Sequence, residues 1–503
     1  MKNFIYIDHI TFAFENSPDP LFEDLTFQLD KSWTCIVGAN GSGKTTLLKI
    51  LCGLLCPDNG SIKIPGKTYY SEQRTDFPPA TIESFFNSTS QFTYKLKNTL
   101  QIQDEWQHQW NVLSHGERKR CQIAVALNQQ PKVLAIDEPS NHLDLYSKNI
   151  LFNALKSFSG VGLLVSHDRD LMDKLCQRTI FINPPKIDLR KCNYSNAFQE
   201  IKRDIKSTNA AYILAKNEVK KLQRKVKDQR RKASSADKKR SKRNISAKDH
   251  DAKSKIDLAR LSGKDSIEGQ LHKRLQSKLS KAQQKQHEMH FTKLQATGIN
   301  FKIDESGRMF PIIIPSGRIK LGDKKSLLFP ELTIQSGDKI GIIGNNGSGK
   351  STFLNHLLKK MYINNDKTIY IPQEITIEES EIIINRIQHY NDEQKGQLMT
   401  IISRLGSAPD HILQTTIPSP GEVRKLMLAE GIMLNPTLII MDEPTNHMDL
   451  VSIECVESAL NACNCAQILV SHDKTFLNNT INYYWSFLEN SGDGYVIVPK
   501  FKS

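Results

Sequence analysis

Two eight-residue runs hold the residues best suited to chemistry: Gly38 to Thr45, reading GANGSGKT, and Gly344 to Ser351, reading GNNGSGKS. Glycines at 38, 41 and 43, repeated as Gly344, Gly347 and Gly349, let backbone N–H groups approach phosphate oxygens closely. Asn40, Ser42 and Thr46, with Asn346, Ser348 and Thr352, complete the two phosphate-binding loops. Lys44 and Lys350 would neutralise β- and γ-phosphate charge, and the Thr45 and Ser351 hydroxyls would ligate Mg²⁺. Further along, VLAIDEP (Val133 to Pro139) and LIIMDEP (Leu438 to Pro444) each end an apolar run in two carboxylates. Asp137 and Asp442 would hold the same cation, and Glu138 and Glu443 would orient or deprotonate the attacking water. This is chemistry for cleaving a nucleoside triphosphate.

Such residues must be positioned by strands and helices, and the sequence supplies both in duplicate. Cys35-Ile36-Val37 and Ile340 to Ile343 read as strands before the glycine loops; Leu47 to Leu51 and Phe353 to Leu357 read as helices after them. Lys44 to Glu138 spans 94 residues and Lys350 to Glu443 spans 93. Ser-His-Asp follows in both halves, at Ser166 to Asp168 and Ser471 to Asp473. Four elements repeated in order and spacing define a duplicated α/β domain. The expected domains are 1–195 and 299–503, joined by a helical hairpin over 196–298.

That middle segment differs in composition. The chain carries a formal +14, yet residues 200–295 alone hold 28 Lys and Arg against 11 Asp and Glu. A basic stripe is the footprint of nucleic-acid or anionic-membrane contact. Ala215, Val219, Leu222 and Val226 form a coiled-coil seam, and Leu271, Leu275, Leu279 and Ala282 a returning one. Between them, about Ala233 to Gly269, Ser, Lys, Asp and Gly predict an irregular tip. A solvated coiled coil holding the halves together is the plain alternative. The nine cysteines show no CxxC pair and no metal-ligand spacing, which suits a reducing cytoplasm. Asp8 and Glu15 interrupt any N-terminal signal, no run suffices to span a bilayer, and 31 residues after His472 leave no room for a third domain.

These runs resemble the Walker A and Walker B motifs of an ATP-binding cassette, which implies ATP and Mg²⁺ as cofactors. By that resemblance Gln73 and Gln373 would be the Q-loop glutamines, which sense the γ-phosphate and the metal. His167 and His472 would be the switch histidines, and Phe14 the aromatic that stacks on adenine. A core position in the first strand is the alternative for Phe14, and the second half offers only Ile319 and Leu321 there. Leu113-Ser114-His115-Gly116-Glu117 resembles the family signature, and Pro418-Ser419-Pro420-Gly421-Glu422 a degenerate copy; each serine stands 24 residues before its glutamate. In such cassettes two domains pair head to tail, which for this chain implies a monomer with its own halves paired. The first Walker A would then face Ser419 and Gly421, and the second Ser114 and Gly116.

The runs Pro139 to Asp144 and Pro444 to Asp449, with twin cassettes and a charged linker, resemble the ABC-F subfamily. Members act on ribosomes, reaching rRNA and tRNA near the peptidyl-transferase region; some are translation factors and others confer antibiotic resistance. Gln73 to Ser114 is 41 residues, against 46 for Gln373 to Ser419, so no extra arm fits there. That implies the resistance branch. The alternatives are a translation factor of the same subfamily, the cytoplasmic ATPase subunit of an exporter, and a DNA-repair ATPase.

Overall fold

The computed structural model describes residues 4–15, 17–141, 143–239, 264–287, 310–322, 325–360, 367–407, 419–490 and 494–501. They divide into two units: Met1–Ala197 with Gln295–Ser503, and Phe198–Leu294.

In the first unit each half is built on one largely parallel sheet, and the two sheets share a strand order. The first runs Thr68–Ser71, Val133–Asp137, Val161–Val165, Trp33–Val37, Arg178–Asn183, Lys186–Arg190. The second runs Thr368–Ile371, Leu438–Asp442, Ala466–Val470, Lys339–Gly344, Tyr483–Asn490, Gly494–Phe501. Only the last pair in each series is antiparallel. The inner strands are apolar runs because both of their faces are covered: Val133–Asp137, Val161–Val165, Leu438–Asp442 and Ala466–Val470 are buried at every position. Burying each Val, Leu or Ile there contributes about 1.5–3 kcal/mol.

The halves differ at their edges. Phe4–Phe12, Phe22–Asp30 and Asn59–Lys63 form a separate antiparallel sheet in the first. In the second, Gly317–Leu321 and Lys325–Phe329 extend the main sheet through a parallel pairing with Gly494–Phe501.

The second unit contains most of the helix Tyr194–Lys239 and the helix Lys264–His287. Ala215 and Val219 are buried there, and Leu222, Val226, Leu275, Leu279 and Ala282 are half-buried, whereas Leu271 is exposed. The helices intrude on the irregular tip expected from the sequence, since Ala233 to Lys239 and Lys264 to Gly269 are helical. Ala and Lys are strong helix formers, and two serines and an aspartate do not break a helix already propagating. Arg240, Lys242, Arg243, Ile245, Ile256, Leu258 and Leu261 lie outside the described residues, as does the segment 288–298.

Cys463 pairs with Cys465. A bridge across a single intervening residue has a spacing that CxxC patterns do not contain.

Candidate functional site

The carboxyl ends of three neighbouring strands meet in each half. Trp33–Val37 feeds the loop Gly38–Gly43 and the helix Lys44–Leu51; Val133–Asp137 delivers Asp137 and Glu138; Val161–Val165 delivers Ser166 and His167. Lys339–Gly344, Leu438–Asp442 and Ala466–Val470 do the same for the second half. In open α/β sheets this end is where ligands bind.

Both loops end on a left-handed glycine, Gly43 at φ 90° and Gly349 at φ 91°, immediately before the helix. The helix N-terminus that follows each loop favours an anion. Lys44 Nζ donates to the carbonyls of Gly38 and Ala39, both at 3.0 Å, and Lys350 Nζ to those of Gly344 and Asn345 at 2.9 and 3.0 Å. Each lysine therefore curls over its own loop. Ser42 Oγ and Ser348 Oγ are buried without a hydrogen-bond partner among the described residues. The Thr45 hydroxyl donates to Asp137 Oδ2 at 2.7 Å, and the Ser351 hydroxyl to Asp442 Oδ2 at 2.8 Å.

Glu138 and Glu443 are each 5% exposed and sit in the left-handed region, at φ 47° and 50°. Non-glycine residues seldom occupy that region, and it concentrates at working sites. In each, Oε2 accepts the backbone N–H of a histidine, His167 at 3.3 Å and His472 at 3.2 Å. The other oxygen is buried and makes no hydrogen bond among the described residues, although His167 Nε2 stands 3.2 Å from Glu138 Oε1. Burial pushes the Glu138 carboxyl well up, with Asp137 adding to it, and pushes Glu443 up to about 7. A cation beside Asp137 or Asp442 would draw them back down. Burial lowers His167 to about 4, reinforced by Lys44, and His472 to about 3, reinforced by Lys350 and Lys148. Both imidazoles are thus neutral near pH 7.

Each loop faces the opposite half. A cavity of about 490 Å³ is lined by Phe14, Asn40, Gly41, Lys44, Thr45, Thr46, Gln73, Asp137, Glu138 and His167, and across from them Ser419, Pro420, Gly421 and His447. A cavity of about 820 Å³ is lined by Asn346, Gly347, Lys350, Ser351, Thr352, Gln373, Asp442, Glu443 and His472, with Ser114, His115, Gly116 and Glu117 opposite. Phe14 is half exposed and lies edge-on to Phe12, its centroid 5.3 Å away. The second cavity has Leu321 and Gly322 at the corresponding rim. Pro418 and His142 lie outside the described residues.

The signature serines are helix caps. Ser114 and Ser419 each form a capping box, with Glu117 and Glu422 three residues on. In the second, Pro420 occupies the first helical position, which proline tolerates because that N–H has no intrahelical acceptor. At Gly421 a Cβ would come within 2.6 Å of the His447 carbonyl, so glycine is required by the close approach of that loop.

Several further contributors were given no role by the sequence, although Asp144 and Asp449 end the runs from Pro139 and Pro444. Asp144 and Asp449 each cap their own helix through Oδ1 and accept the loop amide of the other half through Oδ2: Asn346 N at 3.2 Å and Asn40 N at 3.1 Å. Lys119 is fully buried and donates to the carbonyls of Glu72 and Gln73, at 2.7 and 3.2 Å, and to Gln122 Oε1. Arg424, at the same distance from its signature serine, donates to the carbonyls of Gln373 and Asn446. A cation five residues past both serines is the one signal of this pair in the sequence. Tyr70 donates to Asp137 Oδ2 at 3.2 Å.

Twin phosphate-binding loops, each closed by the opposite half's signature serine, define a nucleotide-binding protein built from two ATP-binding cassettes. The ABC transporter family model matches residues 22–141 and 330–446. The chain is 28% identical to the ribosome protection protein VmlR of Bacillus subtilis, over 89% of this chain and 80% of that one. It is 25% identical to the erythromycin resistance ATP-binding protein MsrA of Staphylococcus epidermidis, over 92% and 93%. Its fold is similar to that of an archaeal ribosome recycling factor, aABCE1, solved with the ribosomal stalk protein aP1: TM-score 0.62 at 18% identity, covering 98% of this chain and 90% of that one. The chain contains two ABC transporter domains and is an ATPase, and the relatives it resembles are members of the ABC-F subfamily. Among the described residues no helix is long and apolar enough to cross a membrane.

Proposed function

We propose that this protein is a cytoplasmic, ribosome-binding ATPase that protects the ribosome from an antibiotic, acting as a monomer whose cassettes, residues 1–195 and 299–503, close on two ATP molecules. The observation that carries the nucleotide chemistry is the pairing of each Walker A loop with the signature Ser and Gly of the other half in one cavity. Lys44 and Lys350 would leave their loop carbonyls to meet β- and γ-phosphate charge, and Ser114, Gly116, Ser419 and Gly421 would close on the γ-phosphate from the far side. Glu138 and Glu443 would orient the attacking water and take its proton. Their unbonded, buried oxygens supply that capacity. His167 and His472, held neutral, would donate to or accept from the γ-phosphate region, and Gln73 and Gln373 would report on its occupancy. Phe14 would stack on adenine in the first site.

Mg²⁺ fits the site. Among the described residues no cluster of three or more His, Cys, Asp or Glu side chains exists, but each half brings one hydroxyl and one carboxylate into hydrogen-bond contact, the pairs Thr45–Asp137 and Ser351–Asp442. That small donor set suits a hard cation that keeps waters and phosphate oxygens as ligands, with Gln73 and Gln373 completing it. When bound, the ion would neutralise charge developing on the transferred phosphate.

Ribosome binding is supported by the likeness to the ribosome protection protein VmlR and by the basic linker 196–298, which would meet rRNA and tRNA phosphates near the peptidyl-transferase region; the likeness to MsrA supports antibiotic resistance. Co-sedimentation tests it. With ATP the protein should pellet with ribosomes, losing affinity steeply as salt rises. Recovery with membranes or with DNA would replace this reading by a transport or repair ATPase. Ribosome binding without any shift in antibiotic susceptibility on expression would favour a translation factor.

A further inference from the structure

The two ATP sites are joined by one side chain that has no counterpart in the repeat. Lys148 lies on the helix Leu145–Lys156 of the first cassette, four residues after the capping Asp144. Its ammonium meets Asp168 Oδ2 at 2.8 Å in its own cassette and donates to the backbone carbonyl of His472 in the other at 3.3 Å. Asp168 directly follows His167, and its second oxygen caps the helix Arg169–Leu175 by accepting from Leu171 N at 3.0 Å. His472 in turn donates its N–H to Glu443 Oε2, and its ring Nε2 pairs with Asn346 Oδ1 at 3.0 Å in the second Walker A loop. A continuous chain of polar contacts therefore runs from the first site's switch segment to the second site's glutamate and phosphate loop. In the second cassette the residue four past the capping Asp449 is Ile453, buried and aliphatic, which cannot reach back with a charge. Asp473, the counterpart of Asp168, is held above its ordinary range by burial, whereas Lys148 keeps Asp168 below its own. That contrast agrees with a lysine tie present on one side of the repeat only.

We propose that Lys148 is a positioning residue coupling the two ATP sites, setting the His472–Glu443 geometry of the second site according to the state of the first. The inference rests on the assignment of Glu138 and Glu443 as the hydrolytic residues. Binding coupling through Lys148 is reciprocal, as linkage requires, but its effect on the chemical step falls on the second site alone, where the carbonyl it holds is located.

The test is single-turnover ATP cleavage with enzyme in excess, in two backgrounds: Glu138→Gln, leaving the second site intact, and Glu443→Gln, leaving the first. Each background must first lower total cleavage by itself; if neither does, the glutamate assignment fails and Lys148 is not at issue. Lys148→Met should slow cleavage about tenfold in the Glu138→Gln background and by less than about twofold in the Glu443→Gln background. Lys148→Arg, which keeps the charge and a donor, should restore most of the rate. Asp168→Asn keeps the helix cap and removes the carboxylate, and should reproduce the Lys148→Met pattern. Equal slowing in both backgrounds, no slowing in either, or failure of Lys148→Arg to rescue a protein of unchanged melting temperature would each overturn the proposal.

Discussion

Arg169 of the first cassette and Glu457 of the second form an ion pair at 2.5 Å, with side chains only 7% and 10% exposed. Glu457 Oε2 also accepts from Asn479 Nδ2 at 3.1 Å. The pair is one-sided, for the repeat places Lys474 and Phe152 at the matching positions. Removing one partner leaves a buried charge uncompensated, at about 3–5 kcal/mol, whereas replacing both by apolar residues costs far less. Arg169→Met and Glu457→Leu should therefore each destabilise the protein more than the double variant does. Urea unfolding of all three closes the cycle, and additive effects would show that the charges do not depend on each other.

On the proposed mechanism, Glu138→Gln with Glu443→Gln would remove both proton acceptors at the attacking water. Steady-state ATPase should fall by at least about 100-fold, and the double variant should accumulate on ribosomes in the presence of ATP. Turnover close to wild type would remove both glutamates from the chemistry.

The two single variants should differ. Pro420 lines the first cavity with no backbone N–H to offer, where the residue lining the second is His115. The cavities differ as well, about 490 against 820 Å³. Glu138→Gln and Glu443→Gln should leave residual hydrolysis rates several-fold apart, and indistinguishable kinetics would mean that the two sites work alike.

Lys119 carries a pH signature. Burial pushes its ammonium down to about 8, against the pull of Asp137, Glu138 and Glu72. A base whose folded pKa lies below its unfolded value gives up its proton first in the native state. The penalty for burying its charge is therefore full below pH 8 and fades between pH 8 and about 10.5, so stability rises across that window. Wild type should gain on Lys119→Met between about pH 7.5 and 9.5 in urea unfolding. A gap that stays constant would show Lys119 already neutral or not buried.

The linker cations should govern salt dependence. Replacing Lys238, Lys239, Arg240, Lys242 and Arg243 with Gln should weaken ribosome binding and flatten its log–log salt slope by about one unit for each phosphate no longer neutralised. Leu258→Ala with Leu261→Ala should leave binding and ATPase nearly intact while abolishing drug protection. Loss of binding or folding in the leucine variant would make those residues structural.

The sequence by itself determined the duplicated α/β fold, because each loop, strand and helix is specified locally by glycine spacing, apolar runs and capping residues. Thr45 and Asp137 could be named as partners from spacing alone, since one short strand and one loop decide where each side chain emerges. Beyond the signature residues that face the opposite loops, tertiary structure alone decided which groups meet across the cassette boundary. Lys148 and the carbonyl of His472 are 324 residues apart in the chain, and Arg169 and Glu457 are 288 apart. No local pattern marks such pairs; an exposed helical lysine and one that bridges two sites read the same. The shared strand order sets both cassettes on one plan, but Lys148 against Ile453, and Arg169 against Lys474, make the faces unlike where they touch. Only packing, which removes those charges from water and forces each to find a partner, turns that difference into a one-sided connection.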